Sequence, residues 1–390
     1  MNRLPLLKKY TSLPVGAVGG INSPEQVDQA IADGKIDFAI FGRQMLADPD
    51  FTQKCMDGDE AQIRRCLRCY KCFPGSPEEG YDDLPFTSEQ LAVYVGHCTI
   101  NPTAHLPFDV EQLPPAEKGP QKVLIVGGGN CRYSGTITAA DRGHKVTLAE
   151  KSDKLGGLLY FTDVDIDKPD LRNFKDMMIR EVKRHDVEIL MNTEVTPEFI
   201  KEFAPDAVIL ATGSVPACPP INGIEHAHQA MSVYDGTCGP GKKVVMIGGG
   251  LVGCETGLYL QKTGHEVTVV EMLDRVANES FGMYREALVW EMEKNNMTML
   301  PKTKCLEITP NSVKIENADG VQELEADTIL YALGMKSVDY SALKEAAGDA
   351  SVYVIGDAIH PGKVDQCTRT GYIAALKVGA SEESVAYIQE

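Results

Sequence analysis

Two stretches 121 residues apart decide how this chain folds: KVLIVGGG (122–129), running on to RGHKVTLAE (142–150), and KVVMIGGG (243–250), running on to TGHEVTVVE (263–271). Gly127, Gly129, Gly143, His144 and Glu150 return as Gly248, Gly250, Gly264, His265 and Glu271. Each copy is a short Val/Ile/Leu run, a glycine turn, a segment of helical length and a second apolar run that ends in an acid. That order is a βαβ unit, so the chain carries one supersecondary unit twice. The fold class is α/β, with two Rossmann-like units.

In the second copy Gly248, Gly250 and Gly253 follow the predicted strand and open the helix, with Glu271 some twenty residues on. The first glycine permits the tight turn, the second admits a pyrophosphate to the backbone, and the third lets helix and strand touch. Phosphate then meets a helix N-terminus. Glu271 would accept hydrogen bonds from an adenosine ribose and repel a 2′-phosphate, which favours NAD over NADP. The first copy departs at one position: Arg132 stands where the third glycine belongs, within Asn130-Cys131-Arg132-Tyr133-Ser134-Gly135. Either this copy has weakened its nucleotide site, or a pair of compensating frameshifts altered the segment. Its residues back-translate so that the frame one base later reads Thr-Ala-Gly-Ile-Ala, with a glycine at the third position, and the coding DNA decides between the two.

Working outward, Leu155-Gly156-Gly157 follows Glu150, and two apolar strands end in Thr212-Gly213 and in Gly356-Asp357. Strand ends of parallel sheets are where ligands sit. Residues 14–46 read as strand, glycine turn, helix and strand, and Leu113–Pro120 as a linker. The run from Met297 predicts a small antiparallel element, and 364–378 a helix. His144 and His265 are turn residues of the repeat, and His360 belongs to a loop.

Cys66, Cys69, Cys72 and Cys98 form C-x2-C-x2-C-x25-C, four thiolates on short loops. Such a set suits an iron-sulfur cluster or a tetrahedral zinc, and Cys66 with Cys69 is also a candidate dithiol. The remaining cysteines, Cys55, Cys131, Cys218, Cys238, Cys254, Cys305 and Cys367, have no partner at ligand spacing and read as small buried side chains. The length of 390 residues corresponds to two or three domains, and 43% apolar residues suffice for ordinary cores. A net charge of −18 disfavours nucleic acid and anionic membrane as partners. No apolar run is long enough to span a bilayer and no secretion signal opens the chain, so the expected compartment is cytoplasmic.

Three segments together resemble a known family: Pro14-Val15-Gly16-Ala17-Val18-Gly19-Gly20-Ile21, then Phe41-Gly42-Arg43-Gln44-Met45-Leu46-Ala47-Asp48-Pro49, then the cysteines ending in Cys98-Thr99-Ile100-Asn101-Pro102. They are similar to the multidomain old yellow enzyme family that includes 2,4-dienoyl-CoA reductase, and the resemblance runs essentially end to end. It implies a (β/α)8 barrel holding FMN, a four-cysteine 4Fe-4S cluster, and FAD and NAD domains of the flavoprotein disulfide-reductase type. Electrons would pass from NADH to FAD, to the cluster, to FMN and to a C=C bond.

On that resemblance, residues 1–54 are the C-terminal remnant of the barrel, 55–112 the cluster segment, 120–232 with 336–390 the FAD domain, and 233–335 the NAD domain. Gly127, Gly129, Glu150, Gly157, Gly213 and Asp357 would serve FAD. Gly248, Gly250, Gly253 and Glu271 would serve NAD. Gly20, Gly42 and Arg43 would form part of an FMN phosphate cradle. Cys66, Cys69, Cys72 and Cys98 would be the metal ligands. The family usually has three residues between its second and third cysteines, and here there are two, Tyr70 and Lys71.

About six barrel strands and the proton donor of the family would lie before Met1, so no catalytic residue is assigned. The expected function is an electron-transfer module, with a separate barrel polypeptide or a second copy as partner. Two alternatives stand beside it: a disulfide reductase of thioredoxin-reductase type using Cys66 and Cys69, and a non-catalytic fragment that binds NAD alone.

Overall fold

The computed structural model describes residues 8–72, 98–104, 116–280 and 282–381, with the backbone alone at 130–132. The side chains of Cys131 and Arg132, the linker residues 113–115 and the cluster-segment residues 73–97 and 105–112 lie outside the described residues. The first described element is a parallel pair, β1 (Gly16–Val18) and β2 (Phe38–Ile40), joined through the helix Pro24–Ala32. Ser23 starts that helix by accepting the Gln26 amide, and Pro24 follows where a missing N–H costs nothing. Ala17, Ile21, Ala30 and Ile36 bury against each other, while Val18 and Ile40 are 73% and 50% exposed. Two strands cannot close into a barrel, so one face of the pair has nothing to cover it among the described residues.

The first glycine turn belongs to a five-stranded parallel sheet. Its strands are β3 (Lys122–Val126), β4 (Lys145–Ala149), β5 (Val187–Leu190), β6 (Ala207–Leu210) and, much later, the strand Ser351–Val354. After β6 the chain leaves through β7 (Ser214–Pro216) into a second parallel sheet of β8 (His228–Gln229), β9 (Lys243–Ile247), β10 (Glu266–Val270), β11 (Thr298–Leu300) and a later strand. An antiparallel meander follows, β12 (Lys304–Ile308), β13 (Ser312–Asn317) and β14 (Gly320–Glu325), as the run from Met297 suggested. β15 (Thr328–Tyr331) completes the second sheet. β16 (Met335–Ser337) returns antiparallel to β7, and β17 (Ser351–Val354) completes the first sheet. One domain is thus inserted in the other, and the crossing is a two-stranded ribbon.

β8 pairs with β15 inside the second sheet. The insertion therefore opens before residue 233, the boundary suggested by sequence.

Strand order is β17-β6-β3-β4-β5 in the first sheet and β11-β10-β9-β15-β8 in the second. In both, the strand that feeds the glycine turn is central, with crossovers leaving to either side. Its carboxyl end is the switch point at which α/β sheets bind ligands. Val123, Leu124, Ile125, Leu148, Val208 and Ile209 are wholly buried. These continuous apolar runs are what a parallel strand covered on both faces requires. At roughly 1.5–3 kcal/mol per buried side chain, such strands dominate the favourable side of folding. Among the described residues no helix is long and apolar enough to cross a membrane.

Candidate functional site: two glycine turns and a four-cysteine cavity

The two turns match in backbone as well as in sequence. Gly127 and Gly248 have φ of +95° and +99°, a region in which a side chain is strained. Each turn is gripped by the acid that closes its repeat. Gly249 N–H donates to Glu271 Oε2 at 2.7 Å, and Leu273 N–H donates to Oε1 at 2.7 Å. In the first copy Gly128 N–H donates to Glu150 Oε2, while Ser152 N–H donates to Oε1 at 2.8 Å.

The middle glycines, Gly128 and Gly249, were not singled out from the spacing. A Cβ on Gly128 would lie 2.6 Å from Glu150 Oε2, and one on Gly249 2.8 Å from Glu271 Cβ. The run of three glycines in both copies was the available signal. Gly157 has the same character, since a Cβ there would lie 2.7 Å from Gly129 Cα.

Asp357 sits where the two interdomain strands cross. Its Oδ2 accepts the Ser214 hydroxyl at 2.8 Å, and its main-chain oxygen accepts the Ser337 hydroxyl at 2.7 Å. Nearby, Gly213 turns the chain at φ +78°, and the Thr212 hydroxyl is buried with no partner. A Cβ on Gly135 would stand 3.0 Å from Gly371 O, so helix Asn130–Asp141 packs closely on helix Val364–Lys377. Gly127, Gly129, Glu150, Gly157, Gly213 and Asp357 lie at or beyond the carboxyl ends of neighbouring strands of the first sheet or in the loops that follow them. Open glycine backbone, a ribose-type acid and an orphaned donor are a donor set that fits FAD.

Cys66, Cys69, Cys72 and Cys98 line a single small cavity together with Arg43, Tyr70, Thr99 and Ile100. Arg68 and Tyr70 hold φ of +56° and +60°, outliers of the kind that gather at functional sites. The Arg68 amide donates to Cys66 Sγ at 3.4 Å, and Cys69 Sγ lies 3.1 Å from Thr99 Oγ1. Burial pushes the Cys98 thiol up to about 11, and burial also raises Cys66 and Cys72. Without a metal these three thiols thus stay protonated at neutral pH, and a bound cation would change that.

Among the described residues no three His, Cys, Asp or Glu side chains converge closely enough to hold one metal ion. A tetrahedral zinc needs sulfur at about 2.3 Å from a common point.

The cavity is stitched to both neighbouring modules. On one side Asn22 Nδ2 donates to Cys66 O at 2.9 Å, Gln44 Oε1 accepts the Cys66 amide at 2.9 Å, and Asn101 Nδ2 donates to Leu46 O at 2.8 Å. On the other, the Thr368 hydroxyl of the C-terminal helix donates to Thr99 O at 2.6 Å. The Arg43 guanidinium lies 4.4 Å from the Tyr70 ring centroid, and one of its buried Nη atoms has no partner. Gly20 has φ +65°, and open space surrounds Gly42.

Of the other cysteines, Cys238, Cys254 and Cys367 are buried, whereas Cys218 is exposed because it lies in the loop beyond the end of β7. His144 Nδ1 accepts the Gln121 amide at 3.1 Å, and His265 Nδ1 lies 2.7 Å from Gly241 O, as expected of turn residues.

A polar knot that no motif announced joins the inserted domain to its host. Lys168 pairs with Glu255 and lies 2.8 Å from the Tyr284 hydroxyl. Burial pulls the Lys168 ammonium down, but the Glu255 carboxylate and then Tyr284 outweigh it and hold it above the ordinary lysine range. Stability from such a raised group is present below its unfolded pKa and lost only as pH climbs through the folded one, so the knot holds throughout neutral pH. Lys168→Met leaves Glu255 without its cation at a site where both side chains are 17% exposed, and should cost about 2 kcal/mol. The only tryptophan, Trp290, lies in helix Gly282–Lys294 of the inserted domain, so its fluorescence in a denaturant titration measures the loss. An unchanged midpoint would reduce the knot to surface decoration.

An inserted Rossmann-like domain with a second glycine turn in its host is the architecture of pyridine-nucleotide-linked flavoproteins. Residues 198–371 match the pyridine nucleotide-disulphide oxidoreductase family, and residues 2–62 match the NADH:flavin oxidoreductase / NADH oxidase family. Both matches agree with the resemblance to the multidomain old yellow enzyme family. The chain is 34% identical to an NADH oxidase of Thermoanaerobacter brockii and 32% identical to a bilirubin reductase of Mediterraneibacter gnavus, each alignment covering 95% of this chain and 56% of the relative. A solved 2-naphthoyl-CoA reductase complex superposes with a TM-score of 0.84 at 29% identity, covering 95% of this chain and 55% of that one. The chain thus spans little more than half the length of these relatives.

Proposed function

We propose that this chain is the NADH-oxidising, electron-transfer part of an enoate or 2,4-dienoyl-CoA reductase-like enzyme. The observation that carries this reading is the position of the four-cysteine cavity, hydrogen-bonded to the β1–β2 segment through Asn22, Gln44 and Asn101 and to the first dinucleotide domain through Thr368. A relay must stand between donor and acceptor modules, and these thiols do. When bound, the cofactors supply hydride and single-electron chemistry that takes reducing equivalents from NADH through FAD and a 4Fe-4S cluster to FMN and a C=C bond.

The residues bind and orient. Gly248, Gly250 and Gly253 bring backbone N–H groups to the NAD pyrophosphate, and Glu271 takes its ribose. Gly127, Gly129 and Glu150 do the same for FAD, with Gly157, Gly213 and Asp357 lining the remainder. Cys66, Cys69, Cys72 and Cys98 ligate the cluster. Arg43, with Gly20 and Gly42, faces the FMN phosphate. The exposed face at Val18 and Ile40 is covered by the rest of a barrel, supplied by another polypeptide or by further sequence.

The test is colour and iron. Protein prepared anaerobically and reconstituted with FAD, iron and sulfide should be brown, contain flavin and about four irons per chain, and reduce a dye with NADH. A preparation with flavin but without iron supports the disulfide-reductase alternative. Neither flavin nor iron after reconstitution refutes the electron-transfer reading.

A further inference from the structure

The internal repeat extends beyond the motif that reveals it. After each closing acid the chain turns back across its own glycine turn, and the same bond secures it in both copies. Gly156 N–H donates to Gly128 O at 2.8 Å, and Ala277 N–H donates to Gly249 O at 2.7 Å, again 121 residues apart. Both donors have positive φ, +124° for Gly156 and +50° for Ala277. Two positions further along the copies differ in a way that bears directly on phosphate. The first copy has Leu158, which is 44% exposed, and the second has Glu279.

The Glu279 carboxylate accepts the amide of Leu251, the first residue of helix Leu251–Lys262. A Cβ added to Gly250 would lie 2.9 Å from its Oε1. This carboxylate therefore occupies the place at the helix N-terminus where a dinucleotide phosphate would take the free amides. Its backbone is held from the other domain, since Lys363 Nζ donates to Glu279 O at 2.6 Å. The turn thus stays put while the side chain is free to rotate.

We propose that Glu279 is a built-in competitor of the dinucleotide pyrophosphate and sets the affinity of the second glycine turn for NADH. The inference rests on the reading of that turn as the NAD site. An anion already seated on Leu251 N–H must leave before a diphosphate can use that amide, and the apparent dissociation constant rises in inverse proportion to the fraction of chains in which it is not seated. A cap seated in about nine chains of ten weakens binding about tenfold. Once displaced, the carboxylate also stands beside two like charges. The first copy has no such residue, so its ligand can remain resident while NADH must exchange.

The experiment compares ADP with adenosine as ligands for the full chain and for its Glu279→Gln and Glu279→Ala forms, by calorimetry and by NMR titration. ADP carries the diphosphate, and adenosine offers the same base and ribose without it. Both variants should bind ADP roughly tenfold more tightly than the parent chain, with adenosine unchanged. Thermal unfolding verifies that each form is folded. ADP affinity that is unchanged or weaker in both variants overturns the proposal, as does an equal gain for adenosine. The failures are separable: ADP binding that the variants leave unaltered removes only the role of Glu279, whereas no ADP binding to any form removes the NAD assignment and the inference with it.

Discussion

Cys98→Ser protein, reconstituted anaerobically beside the parent chain, should retain at least roughly tenfold less iron and lose its brown colour while keeping its flavin. Of the four proposed ligands, Cys98 is held by the most firmly buried stretch of chain. The next three residues are buried, Thr99 accepts from the C-terminal helix, and Asn101 donates to Leu46 O at 2.8 Å. Its own side chain is therefore the one element that the substitution changes, and serine preserves the size. NADH should still reduce the flavin, because the proposed hydride donor and acceptor sites belong to the two sheets and not to the cavity. Iron analysis and the visible spectrum provide the measurement, with Cys218→Ser, an exposed thiol away from the cavity, as control. Equal loss of iron in both variants would mean that the metal was adventitious. Full retention of iron in Cys98→Ser would remove Cys98 from the ligand set.

The second large effect concerns the third glycine. In the intact copy a Cβ on Gly253 would overlap the Gly248 carbonyl oxygen. The strand end and the helix start touch there, and no side chain fits without moving the helix. Gly253→Arg should therefore impose about 3 kcal/mol of overpacking and weaken NADH binding roughly hundredfold, as followed by fluorescence titration. The first copy has that substitution in place, as Arg132. Arg132→Gly should then raise the FAD content of the purified protein, by a similar factor in affinity. If Gly253→Arg binds NADH normally, the steric reasoning fails for both copies. If Arg132→Gly leaves FAD content unchanged, the departure at 132 is harmless.

The two nested domains were legible because parallel strands buried on both faces must be written as continuous apolar runs, and the turns between strand and helix admit only glycine. Offset repetition then exposed the duplication. Gly127, Gly129, Glu150 and their counterparts could be placed from spacing, because the acid at the end of the second strand is adjacent to the turn in any such unit. Gly128 and Gly249 were passed over because the motif treats the middle position as free. Only contact with Glu150 and Glu271 reveals that a Cβ does not fit. The boundary at 233 was misplaced for a related reason: β8 is two residues long and carries no periodicity.

Local chemistry, then, is written in the chain: four cysteines on short loops, two glycine turns, and an acid to close each. Such features are patterns of residue type and spacing, which the order of residues specifies directly. Tertiary structure alone brought Cys98 into one cavity with Cys66, Cys69 and Cys72, tied that cavity to Leu46 on one side and Thr368 on the other, and set Lys168 against Glu255 and Glu279 on the Leu251 amide. These pairings join positions tens to hundreds of residues apart. They follow from how separate apolar faces pack, and spacing along the chain carries no record of that.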